Sequence, residues 1–159
     1  MLSGRAWTFT AEIEVGSTPL EGVIYARGGH NIGHSMFIRN GELHFYYNAL
    51  GKHQRATAPI SLAAGKHTLA ARFDRKGETG TITLMVDGTD VGSVHIPKIM
   101  RILGSMGMDL GCDRLSPVCP DYVAPFPFTG TIEKATFEIR SRPTKTDEQA
   151  EMRAEAAKE

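Results

Sequence analysis

The chain has no excess of charge: 18 lysines and arginines stand against 18 aspartates and glutamates in 159 residues. It therefore lacks the broad basic field with which proteins gather nucleic acid or anionic lipid, and neither is read as a partner. It also lacks any apolar run near the roughly 18 residues of a membrane-crossing helix. The opening MLSGRAWTFT has no charged segment leading into an apolar one, so it does not read as a signal peptide. The chain reads as cytoplasmic, or as one domain of a longer protein. Cysteine is scarce as well, limited to Cys112 and Cys119. A cytosolic compartment keeps such a pair reduced, the alternative being a local bridge between them. Neither has partners at the spacing of a zinc finger. Helical periodicity is confined to the end of the chain.

What the sequence does have is alternation. Trp7, Phe9, Ala11, Ile13 and Val15 share one face of a stretch whose other face is Thr8, Thr10, Glu12 and Glu14. A period of two is that of a half-buried antiparallel strand. Residues 21–26 form a second, apolar on both faces. Residues 35–39 and 42–48 flank Asn40-Gly41, a strong hairpin signal because both turn residues tolerate positive φ. In the second arm Leu43, Phe45 and Tyr47 point one way and His44, Tyr46 and Asn48 the other. Further strands are predicted over 54–60, 66–74, 81–87, 91–96 and 105–110, with Asp87-Gly88 closing another hairpin. In the last strand, 131–139, Ile132 lies on one parity and Ala135, Phe137 and Ile139 on the other. That slip predicts a bulge near Glu133-Lys134.

With 41% hydrophobic and 23% charged residues, the chain makes one folded domain with a substantial core. Many short strands and one terminal helix predict an all-β antiparallel β-sandwich over residues 1–142. A polar helical tail is predicted over 143–159. Between the last two strands lies a long connection, DLGCDRLSPVCPDYVAPFPFTG, rich in proline, acids and aromatics. Most connections in compact domains are a few residues long, which makes this one the first place to look for function.

The strings AGKHTLAARFD, TGTITLMVDGTDVG, DLG and FTGTIEKATFEI resemble a concanavalin A-like, laminin-G-like jelly roll. SPVCPDYVAPFPFTGTI, GGHNIGHSMFIRNGELHFYYNALG and the tail DEQAEMRAEAAKE are similar to the C-terminal β-sandwich of large bacterial arylsulfatases, over about residues 5–159. Sulfatases carry a Cys- or Ser-x-Pro-x-Arg motif whose first residue becomes formylglycine. Here Ser141-Arg142-Pro143-Thr144-Lys145 ends in lysine and has no preceding aspartate cluster, so the catalytic part is absent. The resemblance implies a non-catalytic accessory domain, packing on a sulfatase catalytic domain or in a homo-oligomer and shaping the substrate entrance. The alternative is a stand-alone module binding a carbohydrate or a sulfated small molecule.

Glu12/Glu14 and Glu133/Glu138 do not supply the closely spaced carboxyls of retaining glycan hydrolases, so no catalytic residue is assigned. Asp109, Asp113 and Asp121 are hard oxygen donors in one loop region, a kind of cluster that calcium favours; against it, turn-forming prolines and aspartates and the neighbouring Arg114 account for them without an ion. His30 and His34 sit in what reads as a glycine-rich loop, Arg27 to Gly33, where a four-residue spacing carries little meaning. Tyr122, Phe126 and Phe128 read as plugs that pin the long loop to the sandwich, or else as a sugar platform. The candidate ligand-binding residues are Arg27, His30, His34, Tyr46, Asp113 and Tyr122.

Overall fold

A computed structural model describes residues 6–28, 32–50, 52–99, 108–112, 118–119 and 122–139. Ten strands follow in order: β1 Trp7–Val15, β2 Gly22–Gly28, β3 Ile32–Arg39, β4 Glu42–Ala49, β5 Lys52–Pro59, β6 Gly65–Lys76, β7 Thr79–Val86, β8 Thr89–Ile96, β9 Met108–Leu110 and β10 Thr131–Ile139. They form two five-stranded antiparallel sheets, β10-β1-β6-β7-β8 and β5-β4-β3-β2-β9. The predicted β-sandwich is what the chain forms. The predicted tail, 143–159, lies outside the described residues.

The alternation in β1 sets the core. Trp7, Phe9, Ala11, Ile13 and Val15 are buried between the sheets, facing Tyr25, Met36, Ile38, Phe45 and Tyr47 of the other layer. Trp7 anchors one end, its ring 5.6 Å from Phe73 and 5.4 Å from His34, both stacked. The slip in β10 is also present. Glu12 pairs with Lys134 but Ile13 pairs with Ile132, leaving Glu133 as the extra residue of a bulge. That bulge turns Ile132 back toward the core alongside Ala135 and Phe137.

Two corrections concern the second sheet. The glycine-rich stretch predicted as a loop is largely strand: Arg27 pairs with His34, and Gly28 with Gly33. The pairing needs glycine, because a Cβ on Gly28 would lie 2.3 Å from the Ile32 carbonyl oxygen. The second correction is in β2, where a bulge between Val23 and Tyr25 puts Ile24 and Tyr25 both in the main core. This explains why that strand is apolar throughout.

Asn40-Gly41 and Asp87-Gly88 both turn with positive φ, 53° and 74° in the first and 49° and 83° in the second. Asp87 does more than turn. Its carboxylate accepts the Thr68 N–H at 2.8 Å and the His67 Nδ1–H at 2.7 Å, while His67 Nε2 donates to the Ala63 carbonyl at 2.7 Å. An imidazole that donates from both nitrogens is charged. Its hydrogen bond to Asp87 raises the His67 pKa above 6.5, and the same bond lowers Asp87 below 3.8. The pair therefore contributes fully between about pH 4 and 6.5. Its contribution is lost as pH rises through the raised histidine pKa, and as pH falls through the lowered aspartate pKa. Asp87→Asn, which keeps the turn, should lower the melting temperature most in that window and least on either side. A pH-independent difference would assign the effect to the turn alone.

Candidate functional site

The outer face of the second sheet is covered on one side and open on the other. Val23, Ala26, Phe37 and Tyr46 project outward and bury themselves under Val118, Cys119, Tyr122 and Phe126 of the long loop. The Tyr122 ring meets Phe37 edge-on at 5.1 Å and stacks on Phe126 at 5.5 Å. Its hydroxyl donates to Ser35 Oγ at 3.3 Å, and Asn48 Nδ2 donates to the Val118 carbonyl at 3.4 Å. The exit of the loop is laced to the sheet margin by backbone bonds: Val23 N–H to Phe126 O, Phe128 N–H to Gly111 O and Thr129 N–H to Glu21 O. Tyr122 and Phe126 thus act as plugs. Cys112 and Cys119 are not joined in a disulfide, and the latter is buried.

The open side belongs to β5. His53, Arg55 and Thr57 alternate outward and are exposed, while Ala56 and Ala58 on the opposite parity are buried. The Arg55 guanidinium carbon sits 5.2 Å over the Tyr46 ring centroid, and His53 meets the same ring edge-on at 5.0 Å. Arg55 Nη2 also reaches Cys119 Sγ at 3.8 Å, a weak contact that ties it to the loop. Thr57 Oγ1 lies 3.2 Å from His44 Nδ1. A buried tyrosine thus lies under a guanidinium at a polar strip, with the loop beside it. Planar donors in such a fork suit carboxylate, sulfate or paired hydroxyls.

The sequence candidates separate accordingly. Tyr46 and Tyr122 lie on the outer face but are packed, at 2% and 6% exposure. Asp109 pairs with Ala26 in β9 and is half-buried. His30, Asp113 and Asp121 lie outside the described residues. Arg27 and His34 belong to a different place, the inner face at one end of the sandwich. There His34 is buried among Trp7, Phe45 and Tyr47, parallel to the Tyr47 ring within 2°. The Tyr25 hydroxyl and His34 Nδ1 are 2.7 Å apart; the phenol donates to the unprotonated nitrogen. Burial, aided by the nearby Arg27 charge, lowers the His34 pKa to about 3. Burial likewise pushes the Tyr25 phenol well above its usual range. Arg27 Nε is buried with no hydrogen-bond partner among the described residues.

Sequence reading missed His53 and Arg55. The signal was confined to the second half of KHQRATAP, where Arg55 and Thr57 alternate with Ala56 and Ala58. Alanine is a weak marker of a buried face, so the strand was predicted without its parity. The glutamates weighed for hydrolysis, Glu12, Glu14, Glu133 and Glu138, are exposed on the other sheet, with Glu133 3.7 Å from Lys66. Among the described residues no three metal-ligating side chains cluster.

No family model matches the chain, and no curated protein does. Solved structures do. Domains LG4-5 of the mouse laminin alpha1 chain align with a TM-score of 0.62 at 20% identity over 87% of this chain, which spans 37% of that one. The CBM40 of the Ruminococcus gnavus IT-sialidase, bound to α2,3-sialyllactose, aligns at 0.62 with 14% identity, covering 88% of this chain and 80% of that one. The same domain bound to α2,6-sialyllactose gives 0.60. At such identities the likeness is one of fold, and the fold is a concanavalin A-like, laminin-G-like β-sandwich.

Proposed function

We propose that this domain binds carbohydrate without acting on it, through the strip His53, Arg55 and Thr57 beside the pinned loop. The observation that carries the reading is the Arg55 guanidinium held over Tyr46 at an exposed margin. The sialyllactose complexes of a domain of the same fold support it. Arginine gives the strip a preference for sugars bearing carboxylate or sulfate, with His53 and Thr57 meeting hydroxyls. A glycan array with neutral, sialylated and sulfated members should show binding that Arg55→Ala weakens at least about tenfold, the loss of one charge-assisted contact. Absence of binding to every glycan, with and without calcium, would overturn the reading.

A second reading keeps the accessory role beside an arylsulfatase catalytic domain. It is supported by the segment SPVCPDYVAPFPFTGTI and by two apolar side chains on the outside of this region, Val123 at 85% and Leu110 at 51% exposure. Such residues are what a packed neighbour would cover. A neighbouring coding segment bearing the Cys- or Ser-x-Pro-x-Arg motif would favour it. Its absence from the gene would remove it.

A further inference from the structure

At the end of the sandwich, where the β4–β5 hairpin and the chain leaving β8 part company, lies a cavity of about 280 Å³. Tyr47, Ala49 and Gln54 line it from the inward faces of β4 and β5, Leu50 and Lys52 from the hairpin end, and Pro97 and Lys98 from beyond β8. Its walls are anchored. Tyr47 belongs to the main core. Ala49 pairs with Lys52 in the ladder, and the segment carrying Lys98 is fixed by Ile99 N–H to the Glu78 carbonyl at 2.8 Å. No acidic side chain lines the cavity, and neither lysine has a carboxylate partner among the described residues.

Leu50 supplies a second, independent observation. It holds φ at 53°, the value Asn40 also has and close to the 49° of Asp87 in two other hairpins. Those positions carry the residue types that the left-handed region tolerates, whereas a bulky apolar side chain is disfavoured there. Burial does not explain the leucine either, since it is 66% exposed. Neither backbone preference nor core packing selects it.

We infer that this cavity is a binding site for a small ring-bearing carboxylate. The carboxylate lies between Lys52 and Lys98, the flat body rests on Leu50 and Tyr47, and Gln54 offers one polar contact. The volume sits near the lower bound of small-molecule pockets, about 300 Å³, which admits a single ring. The site faces inward at the sandwich end, apart from the outward His53–Arg55 strip, so it stands or falls separately from the carbohydrate reading. A uronic acid and an aromatic acid share this chemistry.

The test is a titration of the full chain with glucuronate and with benzoate, against glucose and benzyl alcohol, followed by backbone amide shifts. Saturable shifts centred on Leu50, Lys52, Gln54 and Lys98 are expected for at least one carboxylate, and which one responds identifies the source. Binding should fall at least tenfold in the double variant Lys52→Gln, Lys98→Gln. Leu50→Asn should raise the melting temperature, by relieving the backbone, while weakening binding. Equal binding of the neutral analogues would overturn the site, as would no saturable shift up to about 20 mM, where even a millimolar site is filled. So would a Leu50→Asn variant that binds as tightly as the parent.

Discussion

Gly22→Ala should melt roughly 6–20 °C below the parent and expose Cys119 to thiol reagents. A Cβ on residue 22 would stand 2.1 Å from the Pro127 carbonyl oxygen, 2.4 Å from its carbon and 2.6 Å from Phe128 Cα. All three are backbone atoms, so no rotamer change relieves the clash. The φ of +105° is itself closed to a side-chain-bearing residue. Relief requires segment 126–128 to leave β2. The Val23-to-Phe126 hydrogen bond then goes, at about 1 kcal/mol, and the apolar cluster of Val23, Phe37 and Tyr46 is uncovered. A loss of roughly 3–5 kcal/mol converts to the stated fall at about 2–4 °C per kcal/mol for a domain of this size. Gly16→Ala serves as the control, since a Cβ there meets nothing within 4 Å. A Gly22→Ala protein that melts with the control would mean that the loop is not held as described.

Acidification should unfold the domain through His34. In the unfolded chain this imidazole takes a proton near pH 6.5, whereas in the fold it does so only near pH 3. A histidine whose folded pKa is depressed contributes stability that is intact above 6.5. That stability drains away as pH falls toward the folded value. The slope is about 1.4 kcal/mol per pH unit for one proton, which over this interval reaches several kcal/mol, comparable to the whole stability of many domains. His67 and Asp87 act with the opposite sign above pH 6.5 and the same sign below about 4, but both are partly exposed and weigh less. Urea unfolding of His34→Gln between pH 7 and pH 4 checks this. Glutamine can still accept from Tyr25, so its stability should fall with a slope shallower by about one proton than that of the parent. Identical slopes would show that another group governs the acid limb.

The sequence carried the sandwich because β1 and β10 each turn one face to the core, so parity alone reports the layers. Even the bulge at Glu133 showed itself as a parity slip. Parity says less where both faces are covered. β2 and β3 are buried on both sides along much of their length, because the long loop forms a partial third layer. There the apolar run betrays burial but not its cause. Glycine misled for a related reason: Gly28 and Gly33 face each other at close range inside a ladder, and the same residues in sequence look like a turn. The tyrosines of the candidate site were legible as important, but not as packed. Only the distance from Tyr46 to Arg55 shows which residue they present.

The bond from Phe128 N–H to the Gly111 carbonyl staples the mouth of the long loop shut. With its ends fixed, the loop is a closed excursion. Lengthening it adds chain entropy only logarithmically, roughly 0.6 kcal/mol per doubling. What constrains it is a sparse set of apolar anchors, Val118, Cys119, Tyr122 and Phe126, on the sheet below. The loop is thus a cassette, tied to the frame beneath by its stapled mouth and these anchors rather than by its length.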